Sequence, residues 1–270
     1  MKQIAILSLA AALSFSTPSW SADEIKIGNT APYSGPASLY SAFAKVEAAY
    51  FKSINEKGGI NGRKINFISY DDAYSPPKTV EQTRKLVEDD DVLLIFHAVG
   101  SAPNASIQRY LNAKKVPQLF AASGNGRFAD PKNFPWTMPF TSTINGLETS
   151  IYAKWIREHE PHAKVAILFQ NDEYGRDYVK AIKDAFGAEA DKFIIAMEPY
   201  DIKDATIDSQ LARLKASGAT VFLNFSTPRF AALAVRRMAE MQWRPIHFLA
   251  NISANINLVL KPAGLDNAKG

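Results

Sequence analysis

Apolar runs and amphipathic segments alternate regularly along the chain. Short, mostly apolar runs, such as residues 92–96 (VLLIF), 164–169 (KVAILF) and 220–225 (TVFLNF), predict buried strands. Comparable strands are predicted at 25–29, 64–70, 116–122, 193–197 and 246–250. Between these runs the apolar residues recur every three or four positions, which is typical of helices with one buried side. The alternation predicts an α/β fold with parallel sheets and helices on both faces.

The predicted helices divide the chain into two units. The first helix covers residues 37–56 and has its apolar positions at Phe43, Val46, Ala49, Tyr50 and Ile54. The others are predicted at 79–88, 101–111, 147–158, 176–186, 210–217 and 229–241. Residues 130–142 (DPKNFPWTMPFTS) are rich in proline and aromatic residues and fit no helix, so we predict that they cross between the units. The two units, which we call lobes, are predicted at residues 23–140 and 141–250.

Residues 1–22 are predicted to be a secretory signal peptide. Lys2 precedes an apolar stretch, residues 4–15, and small residues favour cleavage near Ser21 or Ala22. The chain has no cysteine, so it offers neither a disulfide nor a thiol for a lipid at the cleavage site. We therefore expect a protein that is free in a bacterial periplasm, without a direct membrane anchor.

Composition and motifs argue against several other classes. The net charge of +4 shows no clustering and gives no indication of nucleic-acid binding. Residues 124–129 (GNGRFA) have the letters of a dinucleotide fingerprint, but Asp130 and the proline after it prevent the helix that this motif needs. His159 and His162 have no further ligand near them, and His97 has no serine or acid partner identifiable by spacing. We predict no catalytic residue, no metal and no cofactor.

The turn after the strand at 92–96 is the first candidate for a binding site. It contains Gly100, and Ser101 stands where a helix cap is expected. Free backbone N–H groups and the helix dipole favour an anion at such a position, and ligands of open α/β sheets collect at the carboxyl ends of strands. The alternative is that Ser101 only caps its helix, and the residues alone leave both open.

The ends of other predicted strands have a similar composition. They are rich in Gly, Ser, Asn and Tyr, which suit hydrogen bonding to a ligand better than proton transfer. These strand ends are Ser34-Gly35, Gly100-Ser101, Ala122-Ser123, residues 172–175, Ser226-Thr227 and Asn251. The pattern predicts ligand binding without chemistry.

Several of these segments resemble the branched-chain amino-acid binding proteins, which are the solute receptors of ATP-binding-cassette importers. The resemblance lies in residues 54–63 (INEKGGINGR), Asp71-Asp72, Gly100-Ser101, Val116-Pro117 and residues 172–176 (DEYGR). It implies a type I periplasmic binding protein, in which two Rossmann-like lobes joined by a hinge close on a ligand. It also implies that the chain is truncated at its C-terminal end, with residues 251–270 crossing back toward lobe 1.

The resemblance implies roles for particular residues. By matching position, Ser101, Ala122 and Ser123 would hold a ligand carboxylate, Tyr174 would cover the ligand from lobe 2, and Tyr40 would line the pocket. With Gly100 and Asn251 at strand ends, these residues make up the predicted ligand-binding set.

One departure from the family bears on the ligand. Amino-acid binders place an acid after the last lobe 2 strand, whereas residues 250–253 (ANIS) contain none. A buried ammonium without a partner is costly, so a carboxylate without an amine fits better. The chain resembles most the branch that binds aromatic acids, and a flat apolar pocket could be formed by Tyr40, Trp136, Phe140 and Phe225. The alternative is that these rings are ordinary core.

We therefore predict a monomeric receptor, not an enzyme, that captures a small carboxylate and delivers it to a membrane permease. The alternative is a sensory receptor of the same fold that reports its ligand to a signalling partner. An exported enzyme on the same scaffold is a third hypothesis, but no nucleophile–base pair or metal set in the sequence supports it.

Overall fold

The computed structural model describes residues 24–141 and 144–269. Residues 1–23, where the signal peptide and its cleavage site are predicted, lie outside the described residues. Within them, none of the helices has both the length and the apolar character required to cross a lipid bilayer.

The first part of the chain forms a five-stranded parallel sheet. Its strands are β1 (Ile25–Ala31), β2 (Ile65–Asp71), β3 (Leu94–Phe96), β4 (Gln118–Ala121) and β5 (Thr137–Pro139). They lie in the order β2-β1-β3-β4-β5, and every pairing is parallel. The helices between the strands are α1 (Ser41–Glu56), α2 (Pro76–Arg84) and α3 (Ser101–Lys114).

The second part forms a four-stranded parallel sheet. Its strands are β6 (Val165–Gln170), β7 (Ile194–Tyr200), β8 (Val221–Phe225) and β9 (Ile246–Leu249), in the order β7-β6-β8-β9. The helices are α4 (Ile144–His159), α5 (Glu173–Phe186), α6 (Ala190–Phe193), α7 (Asp208–Ala216), α8 (Pro228–Glu240) and α9 (Lys261–Ala263). Single 3-10 or π turns lie at Ser38–Tyr40, Lys85–Asp89, Gly126–Phe128, Gly187–Glu189, Asn251–Ser253, Ile256–Leu260 and Leu265–Ala268.

The two parallel sheets with interspersed helices confirm the predicted α/β fold. The strongest apolar runs form the most deeply buried strands, because a strand covered by helices on both faces must be apolar throughout. All five residues of β8 are buried, and so are five of the six residues of β6. An apolar cluster lies on each face of this sheet. Leu223 belongs to one cluster and Phe222, its neighbour along β8, belongs to the other.

The expectation for residues 130–142 is partly wrong, because three of them form the edge strand β5. The strand is short and its proline lies at the sheet edge, where a missing N–H is tolerated. Thr137 fixes its position, since the Thr137 hydroxyl donates to Gln118 Oε1 at 3.0 Å and accepts from Asn112 Nδ2 at 2.8 Å. A local apolar pattern could not reveal a strand held by side-chain hydrogen bonds.

The buried side predicted for the first helix is also wrong. Phe43, Val46 and Tyr50 are all exposed, whereas the small residues Ser41 and Ala44 are buried. The helix therefore packs on the first part of the chain through these small side chains and through the ring of Phe51, which lies 5.2 Å from the ring of Phe67 in β2.

We predict that the buried apolar contacts of the second sheet dominate its stability. Leu168, fully buried in β6, lies in the same cluster as Phe222. Leu168→Ala should lower the free energy of unfolding by about 2–5 kcal/mol, because it removes buried methyl groups and leaves a cavity. Leu147→Ala makes the same chemical change at a side chain that is 62% exposed, and should change it by less than about 0.5 kcal/mol. Urea unfolding followed by circular dichroism measures both, and equal losses would contradict the prediction.

Candidate ligand-binding site

A cavity of about 320 Å³ lies between the two sheets. Its lining residues follow the ends of strands in both sheets: Gly100 follows β3, Ala122 follows β4, Thr227 follows β8 and Asn251 follows β9. The cavity is therefore at the carboxyl ends of the strands, where parallel α/β folds bind ligands. Its lining includes all seven residues of the predicted set, Tyr40, Gly100, Ser101, Ala122, Ser123, Tyr174 and Asn251.

A pair of serine hydroxyls lies on the first-sheet side of this cavity. Ser101 begins α3 and is 2% exposed, and its Oγ lies 2.7 Å from Ser123 Oγ. Ser123 Oγ also accepts a hydrogen bond from the Asn125 N–H at 3.1 Å. The two hydroxyls have two hydrogens, and one of them lies between the two oxygens. Whichever serine donates to the other, one O–H is left to donate to a ligand.

This arrangement corrects the interpretation of Ser101 as a helix cap. The N-cap residue is Gly100, and the Ser101 side chain makes no capping hydrogen bond. The hydroxyl bonds to Ser123 instead, at the mouth of a neighbouring strand. The first N–H groups of α3 have no partner within the helix, so Ser101 stands beside a partial positive charge.

Position 100 requires a glycine, because the ring of Tyr74 lies too close to the backbone for any side chain. Its φ is +102°, and a Cβ at this position would lie 2.4 Å from a ring carbon of Tyr74. Tyr74 is buried against the cavity, and its hydroxyl donates to Asp172 Oδ2 at 3.4 Å. Because Tyr74 belongs to the first part of the chain and Asp172 to the second, this contact joins the two sides of the cavity. A second such contact runs from Asn125 Nδ2 to Glu173 O, at 2.9 Å.

Two buried tyrosine hydroxyls lack hydrogen-bond partners among the residues that the structure describes. They belong to Tyr40 and Tyr174, and both side chains line the cavity. Burial raises the pKa of each hydroxyl well above the ordinary value, so both stay neutral and able to donate. Buried polar groups are rarely left unpaired, so these hydroxyls are available to a ligand.

One end of the cavity is aromatic and contains a hydrogen-bonded pair of a histidine and a glutamate. The sequence analysis indicated the histidine but not the glutamate. His97 Nδ1 is hydrogen-bonded to Glu47 Oε1, and both side chains are largely buried. The His97 ring lies edge-on to Phe43 and Phe140, at centroid distances of 5.7 and 5.0 Å. The sequence suggested that His97 could face the cleft, but Glu47 lies fifty positions earlier, and no local signal connects the two.

Two of the four rings that were expected to form a flat apolar pocket line the cavity. Tyr40 and Phe140 line the cavity. Trp136 does not line it, because it precedes the edge strand β5 and is 38% exposed. Phe225 is fully buried in the core behind Tyr178, whose ring stacks on it at 4.5 Å.

The second-sheet side of the cavity contains an acid that sequence reasoning missed. Glu148 of α4 is 8% exposed, and its Oε1 and Oε2 accept hydrogen bonds from the Asn251 backbone N–H and side-chain amide, each at 2.8 Å. Oε2 also accepts from the Tyr178 hydroxyl at 2.6 Å, and Oε1 accepts from the Tyr152 hydroxyl. Burial raises the pKa of both tyrosines. The sequence around Asn251 has no acid, but the fold brings one to it from 103 positions away.

The pattern of α4 concealed this acid. Its apolar residues Leu147 and Ile151 are exposed, whereas Asn145, Glu148 and Thr149 are buried. The first turns of the helix therefore bury polar side chains, whereas its buried apolar residues, Ala153 and Ile156, lie further along. No group of three or more potential metal ligands occurs among residues 24–141 and 144–269.

The sequence matches one protein family and several relatives of low identity. The sequence profile of a family described as "Periplasmic binding protein" matches residues 24–270. The "Leu/Ile/Val-binding protein homolog 1" of Brucella abortus (strain 2308) is 23% identical over 235 residues, which are 87% of this chain and 62% of that protein. The "Leucine-, isoleucine-, valine-, threonine-, and alanine-binding protein" of Pseudomonas aeruginosa is 22% identical over 205 residues, 76% of this chain and 54% of that protein. The chain thus spans less than two thirds of the length of these relatives.

Solved structures share the fold. A substrate-binding periplasmic protein from Ralstonia solanacearum superimposes with a TM-score of 0.82 and 22% identity, over 90% of this chain and 68% of that one. An ABC transporter solute-binding protein from R. palustris, solved in complex with benzoate, gives a TM-score of 0.76 and 19% identity, over 89% and 66% of the two chains.

We predict that the contact between Gly100 and Tyr74 shapes the cavity. Gly100→Ala should displace the Tyr74 ring and place alanine at a positive φ, so the free energy of unfolding should fall by about 1–3 kcal/mol. Gly146→Ala is the matched control, because its φ is not positive and no described atom lies within 4 Å of the added Cβ. In the first turn of a helix this change should be neutral or slightly stabilising. Thermal and urea unfolding compare the two variants, and equal effects would show that the close approach is relaxed easily.

Proposed function

Because the chain belongs to the periplasmic binding protein family, we propose that it captures a small carboxylate between its two sheets and delivers it to an ATP-binding-cassette permease. The observation that carries this proposal is the Ser101–Ser123 pair, which keeps one O–H for a ligand at the N-terminal end of α3. These relatives and structural neighbours are named as binding proteins, which supports a receptor rather than an enzyme.

The donors around the cavity fit an anion. The free serine O–H, the start of α3 and the unpaired Tyr40 and Tyr174 hydroxyls are all hydrogen-bond donors that an anion can accept from. A carboxylate has two oxygens with about four acceptor positions, so it can satisfy several of these donors at once. Hydrogen bonds to an ionised acceptor are about twice as strong as those between neutral groups.

An aromatic acid fits the rest of the cavity. Tyr40, Phe43, His97 and Phe140 provide ring surface at one end. The R. palustris protein that holds benzoate has a similar fold, which agrees with this choice. An α-amino acid fits less well, because the oxygens of Glu148 are already engaged and residues 250–253 contain no acid.

We propose that the chain is divided into a signal peptide, two lobes and a crossover segment. Residues 1–22 are removed on export to the periplasm, residues 23–140 and 141–250 form the two lobes, and residues 251–270 cross back toward the first. In this scheme a monomer is sufficient, since both sides of the cavity come from one chain.

We expect ligand binding to raise the melting temperature of the protein produced from Asp23 onward. Benzoate and related aromatic carboxylates should shift the transition upward by mass action, because they bind the folded state alone. Leucine should give a smaller shift at the same concentration. Differential scanning fluorimetry measures these shifts. A shift with leucine and none with any amine-free carboxylate would contradict the proposal.

We expect Ser101→Ala to weaken carboxylate binding by about 1–3 kcal/mol, because it removes a buried hydroxyl of the donor pair. Ser106→Ala is a suitable control on the same helix, since the Ser106 hydroxyl donates to Pro103 O at 2.7 Å and does not line the cavity. Isothermal titration calorimetry gives both affinities. If Ser101→Ala binds as tightly as the Ser106 variant, the Ser101 hydroxyl does not hold the carboxylate.

A further inference from the structure

Glu148 and Asn251 form a contact that the capture of a carboxylate does not explain. We propose that Glu148 is a positioning residue that holds the Asn251 amide with its carbonyl oxygen free. In consequence the site selects carboxylic acids that also carry a neutral hydrogen-bond donor, such as a hydroxyl. The proposal rests on the proposed function, because it concerns the second end of the same ligand.

The orientation of the Asn251 amide follows from hydrogen-bond chemistry. A carboxylate oxygen accepts hydrogen bonds and has no hydrogen to donate. The Asn251 amide atom that lies 2.8 Å from Glu148 Oε2 must therefore be the nitrogen. The backbone N–H of Asn251, 2.8 Å from Oε1, holds the residue from a second direction. The planar amide then directs Oδ1 away from Glu148, and this oxygen accepts no hydrogen bond from any residue that the structure describes.

Glu148 itself has no acceptor position to spare. Its two oxygens already accept from the Tyr152 and Tyr178 hydroxyls and from both nitrogens of Asn251. It does not line the cavity, whereas Tyr178 and Asn251 do. Glu148 therefore acts on a ligand through these two residues.

Tyr178 reinforces the same preference. Its hydrogen is donated to Glu148 Oε2, so its oxygen offers only lone pairs to other groups. Donation to a carboxylate also polarises the donor, which strengthens the lone pairs as acceptors. Tyr178 and Asn251 both line the cavity, and the Tyr178 oxygen and Asn251 Oδ1 can act only as acceptors, in contrast to the donors at Ser101 and Ser123.

A neutral donor suits these acceptors better than an ammonium. An ammonium carries a full charge and three hydrogens, and its burial is costly without a direct carboxylate contact. The carboxylate closest to the acceptors is already fully engaged. A hydroxyl needs one acceptor, and Asn251 Oδ1 supplies it.

The test compares acids that differ only in the donor. Benzoate, 3-hydroxybenzoate and 4-hydroxybenzoate are titrated calorimetrically into the protein that begins at Asp23. We expect at least one hydroxylated acid to bind about tenfold more tightly than benzoate, the factor that one additional hydrogen bond gives. In Glu148→Gln, the new amide can donate as well as accept, so the Asn251 amide can turn over. The preference should then fall to about twofold or less.

Tyr152→Phe is the matched control, because it removes one donor to Glu148 without removing either bond to Asn251. This variant should keep the preference for the hydroxylated acid. Circular dichroism checks that each variant is folded. If Glu148→Gln does not fold, Asn251→Ala replaces it, since Asn251 is exposed and its removal should abolish the preference.

The outcomes separate this inference from the proposed function. Benzoate binding as tightly as both hydroxylated acids, or a preference that survives in Glu148→Gln, overturns the role of Glu148 but leaves carboxylate capture intact. Leucine binding more tightly than 4-methylpentanoate overturns the choice of a neutral donor. If no carboxylate binds, the proposed function fails and this inference fails with it.

Discussion

The close approach of the Tyr74 ring to Gly100 is the contact on which the cavity depends. A side chain at position 100 would occupy the space of the ring, and the positive φ of Gly100 is a conformation that other residues adopt only with strain. This turn sets where α3 begins and therefore where Ser101 meets Ser123. The same ring carries the hydroxyl that reaches Asp172 in the second part of the chain. One backbone conformation thus connects the Ser101–Ser123 end of the cavity to the contact between its two sides.

Much of the fold could be predicted because a buried parallel strand needs an apolar sequence throughout. The predicted strands at 164–169 and 220–225 lie within one residue of β6 and β8 for that reason. Elements held by small or polar side chains were not predictable in the same way. The strand β5 depends on Thr137, and α1 buries Ser41 and Ala44 while Val46 and Tyr50 are exposed, so the apolar pattern was either silent or misleading.

The candidate site could be predicted where its residues lie next to strand ends. Gly100, Ser101, Ala122, Ser123 and Asn251 are of this kind, and Tyr40 and Tyr174 came from the family resemblance; all seven line the cavity. Glu148 was missed because its partner is remote in sequence and because the first turns of its helix expose Leu147 and Ile151 while they bury polar side chains. Partners that are brought together only by tertiary structure leave no spacing to recognise, and such residues determine the character of the second-sheet side.

The unpaired hydroxyls of Tyr40 and Tyr174 have a consequence for discrimination against hydrocarbons. A purely apolar molecule of the right shape would fill the ring-lined end of the cavity but leave both hydroxyls without an acceptor. Sealing an unsatisfied buried hydroxyl away from water costs about 1–3 kcal/mol, which offsets much of what the apolar contact contributes. Shape alone is therefore insufficient for retention, and under the proposed function toluene should be rejected although benzoate, which has the same ring, is kept.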